Sequence, residues 1–117
     1  MEQATNKALT VVKPYGETEI EAHAAKVGGR RNLKEIVVTT DDDYAFYYLV
    51  KKPSKSVMQA IVHYESKKDY DGIQKLAMGC VLEGDREAYE HDGGIYLELS
   101  EQIGRLVNKT QSEIKKL

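Results

Sequence analysis

Apolar residues recur along this chain at two different spacings, and the spacing switches from block to block. From residue 18 onward Ile20, Ala24 and Val27 fall three and four apart, on one face of a helix. Thr18-Glu19-Ile20-Glu21 has the form of a capping box to open it: the Thr18 hydroxyl accepts from the Glu21 amide, and the Glu21 carboxylate reaches back to the Thr18 amide. Gly28-Gly29 closes it, because glycine accepts the left-handed conformation of a helix C-terminus. The period then drops to two. Residues 34–40 carry Ile36, Val37, Val38, Thr39 and Thr40, and residues 44–51 read Tyr-Ala-Phe-Tyr-Tyr-Leu-Val-Lys. Only Asp41-Asp42-Asp43 separates these β-prone runs, which predicts a hairpin. In its second strand Phe46, Tyr48 and Val50 face one way, and Tyr47 and Leu49 the other. One face covers the core; the other must meet something else.

Beyond residue 52 the helical period returns. Pro53-Ser54 suits a first turn, and Val57, Met58, Ile61 and Val62 follow as a stripe. A second helix is predicted over residues 70–82, with Ile73, Leu76, Ala77, Cys80 and Val81 on one face. Gly84-Asp85 breaks the chain, and residues 86–90 read as a short helical turn. Asp92 caps the last long helix, whose stripe is Ile95, Leu99, Ile103, Leu106 and Val107. Asn108 stops it, or it continues through a second capping box, Thr110-Gln111-Ser112-Glu113. At the other end, residues 1–8 are polar and read as frayed. Residues 9–12 are a short β-prone run closed by Pro14 and Gly16. The expected class is α+β: a small β-hairpin or short antiparallel sheet packed with a bundle of three to four α-helices. Residues 1–17 form a flexible arm or edge strand, and residues 18–117 a single domain.

Composition narrows the function. With 41% hydrophobic residues, the 117-residue chain can bury one modest core, and association would relieve the shortage. Seventeen basic against 19 acidic residues give a net charge of −2, which argues against non-specific nucleic-acid binding. The single cysteine, Cys80, cannot form an internal disulfide and fits a reducing compartment. The N-terminal residues do not have the pattern of a signal peptide, and the apolar runs are too short to cross a membrane. A cytoplasmic location is expected.

No catalytic, cofactor or metal motif stands out. His23, His63 and His91 are scattered, and His91-Asp92 beside Asp85 reads as a capped loop rather than a metal site. Asp41-Asp42-Asp43 lacks the spacing of a calcium loop and reads as turn chemistry. Cys80 lies on an apolar stripe and reads as a buried, inert thiol. Gly28-Gly29-Arg30-Arg31 follows a helix instead of preceding one, so it reads as a C-cap with two solvated arginines. The compositional oddity is tyrosine: eight Tyr, one Phe and no Trp. Tyr44, Phe46, Tyr47 and Tyr48 crowd one strand, more aromatic surface than a core needs, and tyrosine is enriched at interfaces. Self-association is expected through the outer hairpin face, Tyr47 and Leu49, with Leu106 and Val107 of the final helix as second choice.

The order of elements over residues 18–117 resembles that of small tail assembly chaperones and chaperone-like proteins of tailed bacteriophages and prophages. The matching pieces are the helix ending in glycine at 24–28, the strand at 34–38, and the basic-Pro-Ser-basic start Lys52-Pro53-Ser54-Lys55-Ser56-Val57. The stripe at 73–82, the break Gly84-Asp85-Arg86-Glu87 and the final helix over 92–106 complete them. The aromatic and the Cys-Trp pair expected near that family's first and third helices are missing here. The resemblance implies a holdase-like role without enzymatic activity, binding a long tape-measure protein and helping recruit tail-tube subunits in the bacterial host cytoplasm. The residues expected at a partner are Tyr47 and Leu49, the lysines Lys51, Lys52 and Lys55, and Leu106 and Val107. They would act through the aromatic hairpin edge or a groove between the last two long helices. The alternatives are a structural component of the virion head, neck or tail, and a small regulatory ligand-binding protein.

Overall fold

The hairpin forms where the period of two predicts it, and the sheet grows on both sides of its second strand. The computed structural model describes residues 8–108 and 110–117. In chain order the elements are β1 (Thr10–Val12), α1 (Glu17–Val27), a 3-10 turn (Arg30–Asn32), β2 (Leu33–Thr39), β3 (Tyr44–Lys51), α2 (Lys55–Ser66), α3 (Tyr70–Met78), β4 (Val81–Glu83), α4 (Arg86–His91) and α5 (Gly93–Asn108). The class is α+β, as expected. The sheet is four-stranded and mixed. Antiparallel β2 pairs with one side of β3, from Leu33↔Lys51 to Thr39↔Ala45. Parallel β1 and antiparallel β4 share the other side, at opposite ends. Central β3 therefore has no free edge of its own for strand addition, contrary to the expectation for the aromatic hairpin edge; β2 forms one outer edge of the sheet, and the short β1 and β4 the other. Of the polar N-terminal stretch, residues 1–7 lie outside the described residues, and Thr10–Val12 is the edge strand.

Two apolar layers sandwich the sheet. On one face Ile36, Val38, Tyr48 and Val50 pack with Ala77, Cys80, Val81, Tyr89, Ile95, Leu99 and Ile103. On the other, Leu33 and Leu49 lie under Tyr15 and Ala24, with Ile20 and Val27 against them. The outer hairpin face is thus a second core. Leu49 is buried and Tyr47 half-buried, so they are not the free contact surface expected of them. The stripe of α1 needs an apolar surface, and the back of the hairpin is the one its short connection can reach.

Local chemistry explains the helix ends. Helix α1 starts at Glu17, not Thr18, because the Gly16 N–H donates to Glu19 Oε1 at 2.7 Å. Glu21 is engaged elsewhere: Arg30 Nη1 donates to Glu17 Oε1 at 2.6 Å and to Glu21 Oε2 at 2.8 Å. Arg30 therefore ties the chain back to α1 instead of standing free in solvent. Gly28 takes the left-handed cap with φ 85°. Helix α3 stops at Met78, four residues short of expectation. Gly79 ends it, the Cys80 carbonyl accepts from the Lys51 N–H at 3.0 Å, and Val81 pairs with Val50 as β4. A short apolar run satisfies a helix period and a strand equally; here pairing with β3 decides. Residues 110–117 are not helical, so the second capping box goes unused. Among the described residues no helix is long and apolar enough to cross a membrane.

Tyr48 sits at the middle of this arrangement with no exposed surface. Its hydroxyl donates to the Asp85 carbonyl at 2.8 Å. Gly84, at φ 137°, passes so close to the ring that a Cβ there would stand 2.8 Å from Tyr48 Cε1 and 3.0 Å from the Tyr47 carbonyl oxygen. Gly84→Ala should therefore destabilise the fold by about 3 kcal/mol, through backbone strain added to overpacking, and denaturant unfolding measures it. Burial raises the Tyr48 phenol above its ordinary value. Burial, and then the hydrogen bond to the Glu35 carboxylate, do the same for Tyr15. The unfolded chain loses these protons near pH 10 while the folded one keeps them. Stability should thus fall as pH rises above about 10, steeply in wild type and less so in Tyr15→Phe.

Candidate protein-binding groove

Three helices frame an apolar depression on the described surface. Ser54 opens α2 by accepting the Val57 N–H on its hydroxyl at 3.3 Å. Lys67 to Asp69 then reverse the chain, Lys68 at φ 55°, and Asp69 caps α3 by accepting from the Gly72 N–H at 3.0 Å. Gly72 lets the two helices close up, since a Cβ there would stand 3.1 Å from Tyr64 Cδ1. Helix α3 in turn rests on α5. Helix α2 packs on α3, yet none of its twelve residues is fully buried: Met58 and Ile61 stay half-buried and Val62 is exposed. An amphipathic helix with no buried residue is half of a contact.

The apolar face of α2 looks across a groove of about 610 Å³. Met58, Ile61 and Val62 of α2 form one wall, and Ile73 and Ala77 of α3 the base. Leu97, Ile103 and Val107 of α5 form the far wall. Val62 is 60% exposed and Leu97 50% exposed, high values for side chains of this type. Charges of both signs lie at or near the groove. Glu65 and Glu101 stand on its rim, whereas the α2 start, where Pro53 lines the groove, carries Lys52 and Lys55.

The sequence-predicted residues are distributed unevenly over these features. Val107 lines the groove, and Leu106 packs at the first core and faces a different cleft, between α5 and β2. Lys51 and Lys52 border a separate depression of about 500 Å³ together with Lys26. Lys55 is exposed on the first turn of α2. Lys13 lies over the Tyr15 and Tyr47 rings, 5.4 and 5.3 Å from their centroids, which occupies the outer face of Tyr47. Of the groove lining, sequence reasoning named only Val107 at a partner; it missed the α2 wall of Met58, Ile61 and Val62, the α3 base of Ile73 and Ala77, and Leu97 and Gly104 of α5. The signal for the α5 residues was present: α5 is apolar over a wider arc than one core contact requires.

The other candidates resolve into structural roles. Asp85 and Asp92 cap α4 and α5, accepting from the Ala88 and Gly94 N–H groups at 3.1 and 2.9 Å. His23 lies 2.9 Å from Glu83 and joins α1 to β4. Thr40 and Asp42 bond within the hairpin turn. Cys80 is buried, and burial pushes its thiol up. Among the described residues no group of three or more His, Cys, Asp or Glu side chains could hold a metal ion.

No protein-family model, no curated protein and no solved structure matches this chain.

Gly104 sits in the body of α5, facing the groove, and a Cβ there would meet nothing within 4 Å. Glycine inside a helix costs stability unless the space is used. Gly104→Ala should raise stability by about 0.5–1 kcal/mol in denaturant unfolding, while making the groove shallower.

Proposed function

We propose that this protein is a non-enzymatic, protein-binding factor that holds an apolar helical segment of a longer partner in the α2–α3–α5 groove. The observation that carries the reading is α2: an amphipathic helix with no buried residue, standing opposite the exposed Leu97 of α5. Such a contact is weak taken singly. A long partner with many similar segments makes weak contacts sufficient, because linked sites raise the effective concentration. That is the working mode of a holdase, and the resemblance to phage tail assembly chaperones gives the partner its class, a tape-measure-type chain rich in helix. In this reading the lysines at the α2 start meet acidic positions of the partner, and Tyr47 and Leu49, packed against α1, take no part.

Co-expression with a tape-measure-type protein, followed by pull-down at low and high salt, tests this. The expected result is co-purification that weakens with salt but leaves a salt-resistant remainder, since charge is screened and apolar burial is not. Val62→Ser with Leu97→Ser should cut binding at least about tenfold with little change in melting temperature, as both side chains are exposed. No co-purification at either salt, together with fixed stoichiometry in finished particles, would instead make the protein a structural component of the virion.

A further inference from the structure

The open edge of β2 offers a second surface, independent of the groove. The Thr40 N–H donates to the Tyr44 carbonyl, and the Lys52 N–H donates to the Asn32 carbonyl. Even-numbered residues of β2 therefore point their backbone groups at β3. By the alternation of an antiparallel ladder, Leu33, Glu35, Val37 and Thr39 point theirs outward. Apart from the charges of Lys34 and Glu35 near its start, little blunts this edge: β2 has no proline and no bulge, and Val37, just past its centre, is 46% exposed. Beside it runs a cleft of about 390 Å³ whose other wall is α5, through Glu98, Gln102 and Arg105. These three fall at i, i+4 and i+7, one face of the helix. Among the described residues neither Glu98 nor Arg105 has an ion-pair partner.

We infer that the occupant of this edge is a second copy of the chain, joined β2 to β2 across a two-fold axis at Val37. Outward groups on odd residues allow only registers that pair odd with odd. An axis at Glu35 would set like charges opposite each other. An axis at Ile36 would set Glu35 against Val37. The axis at Val37 sets Val37 against its own copy, Glu35 against Thr39 and Ile36 against Val38, with about six new ladder hydrogen bonds. The same axis is perpendicular to the sheet, so it lays the two α5 helices side by side and antiparallel on one face. Gln102 then lies near the axis, and Glu98 of each copy faces Arg105 of the other. Two charges left unpaired in one copy become two ion pairs in the pair of copies. The two sheets become one of eight strands, and β2 is no longer an edge.

The test is sedimentation analysis of the full-length protein from micromolar to about millimolar concentration, with variants. Wild type should dimerise. Val37→Pro removes an outward N–H and no bond to β3, so it should raise the dimer dissociation constant about tenfold or more without lowering the melting temperature. Glu98→Arg should weaken the dimer by placing like charges across the axis, and Glu98→Arg combined with Arg105→Glu should restore it. Should Val37→Pro fail to fold, the charge exchange decides alone. A wild type that stays monomeric at the highest concentration overturns the inference and leaves the edge to a different strand. A dimer that none of these changes moves, or one that the charge exchange fails to restore, overturns it too.

Discussion

A phenol can be taken wholly out of water only if its hydroxyl finds a partner, and much of this fold follows from meeting that condition at Tyr48. The acceptor is the Asp85 carbonyl. To bring it there the chain must return along β3 as β4 and pass the ring at Gly84 with no side chain. Asp85 then uses its own carboxylate to cap α4, and α4 carries the Tyr89 ring to 5.9 Å from that of Tyr48. Asp92 starts α5 directly afterwards, which lays Ile95, Leu99 and Ile103 on the same face of the sheet. One buried hydroxyl thus links the central strand to the last three elements of the fold.

Helix α5 is where fold and function divide. Ile95, Leu99 and Ile103 point into the core. Leu97, Gly104 and Val107 line the groove toward α2, while Glu98, Gln102 and Arg105 line the cleft toward the β2 edge. If both proposals hold, three stripes on one helix let a partner segment and a second copy be held at once without competing. In the proposed arrangement a dimer would present two grooves in fixed relation, which suits a long partner with repeated apolar segments and strengthens binding through linkage alone.

Much of the fold was legible in the sequence because strong local signals agreed with their surroundings. The Asp41-Asp42-Asp43 turn between β-branched and aromatic runs gave both strands of the hairpin, and the Ser54 and Asp92 caps marked two helix starts. What was not legible depended on pairing at a distance. Cys80 and Val81 extend the stripe of α3 in sequence as well as they lead into β4, and only the unfilled side of β3 separates the two readings. Tyr47 and Leu49 look like spare surface until α1 is folded over them. Val107, expected at a partner, lines the groove, but the expected place was between the last two long helices, whereas the groove also needs α2 as a wall. Its second wall was hidden because the α2 stripe is indistinguishable in sequence from one that is fully packed.

The account rests on α2 being held from one side only, with its groove face open to water. Amide hydrogen exchange on the full-length protein measures this directly. Fewer buried contacts predict lower local stability, so the amides of Lys55–Ser66 should exchange much faster than those of β3 and α5, and slow when a partner helix is bound. Protection of α2 equal to that of α5 in the free protein would show a closed helix packing, and with it no groove to fill.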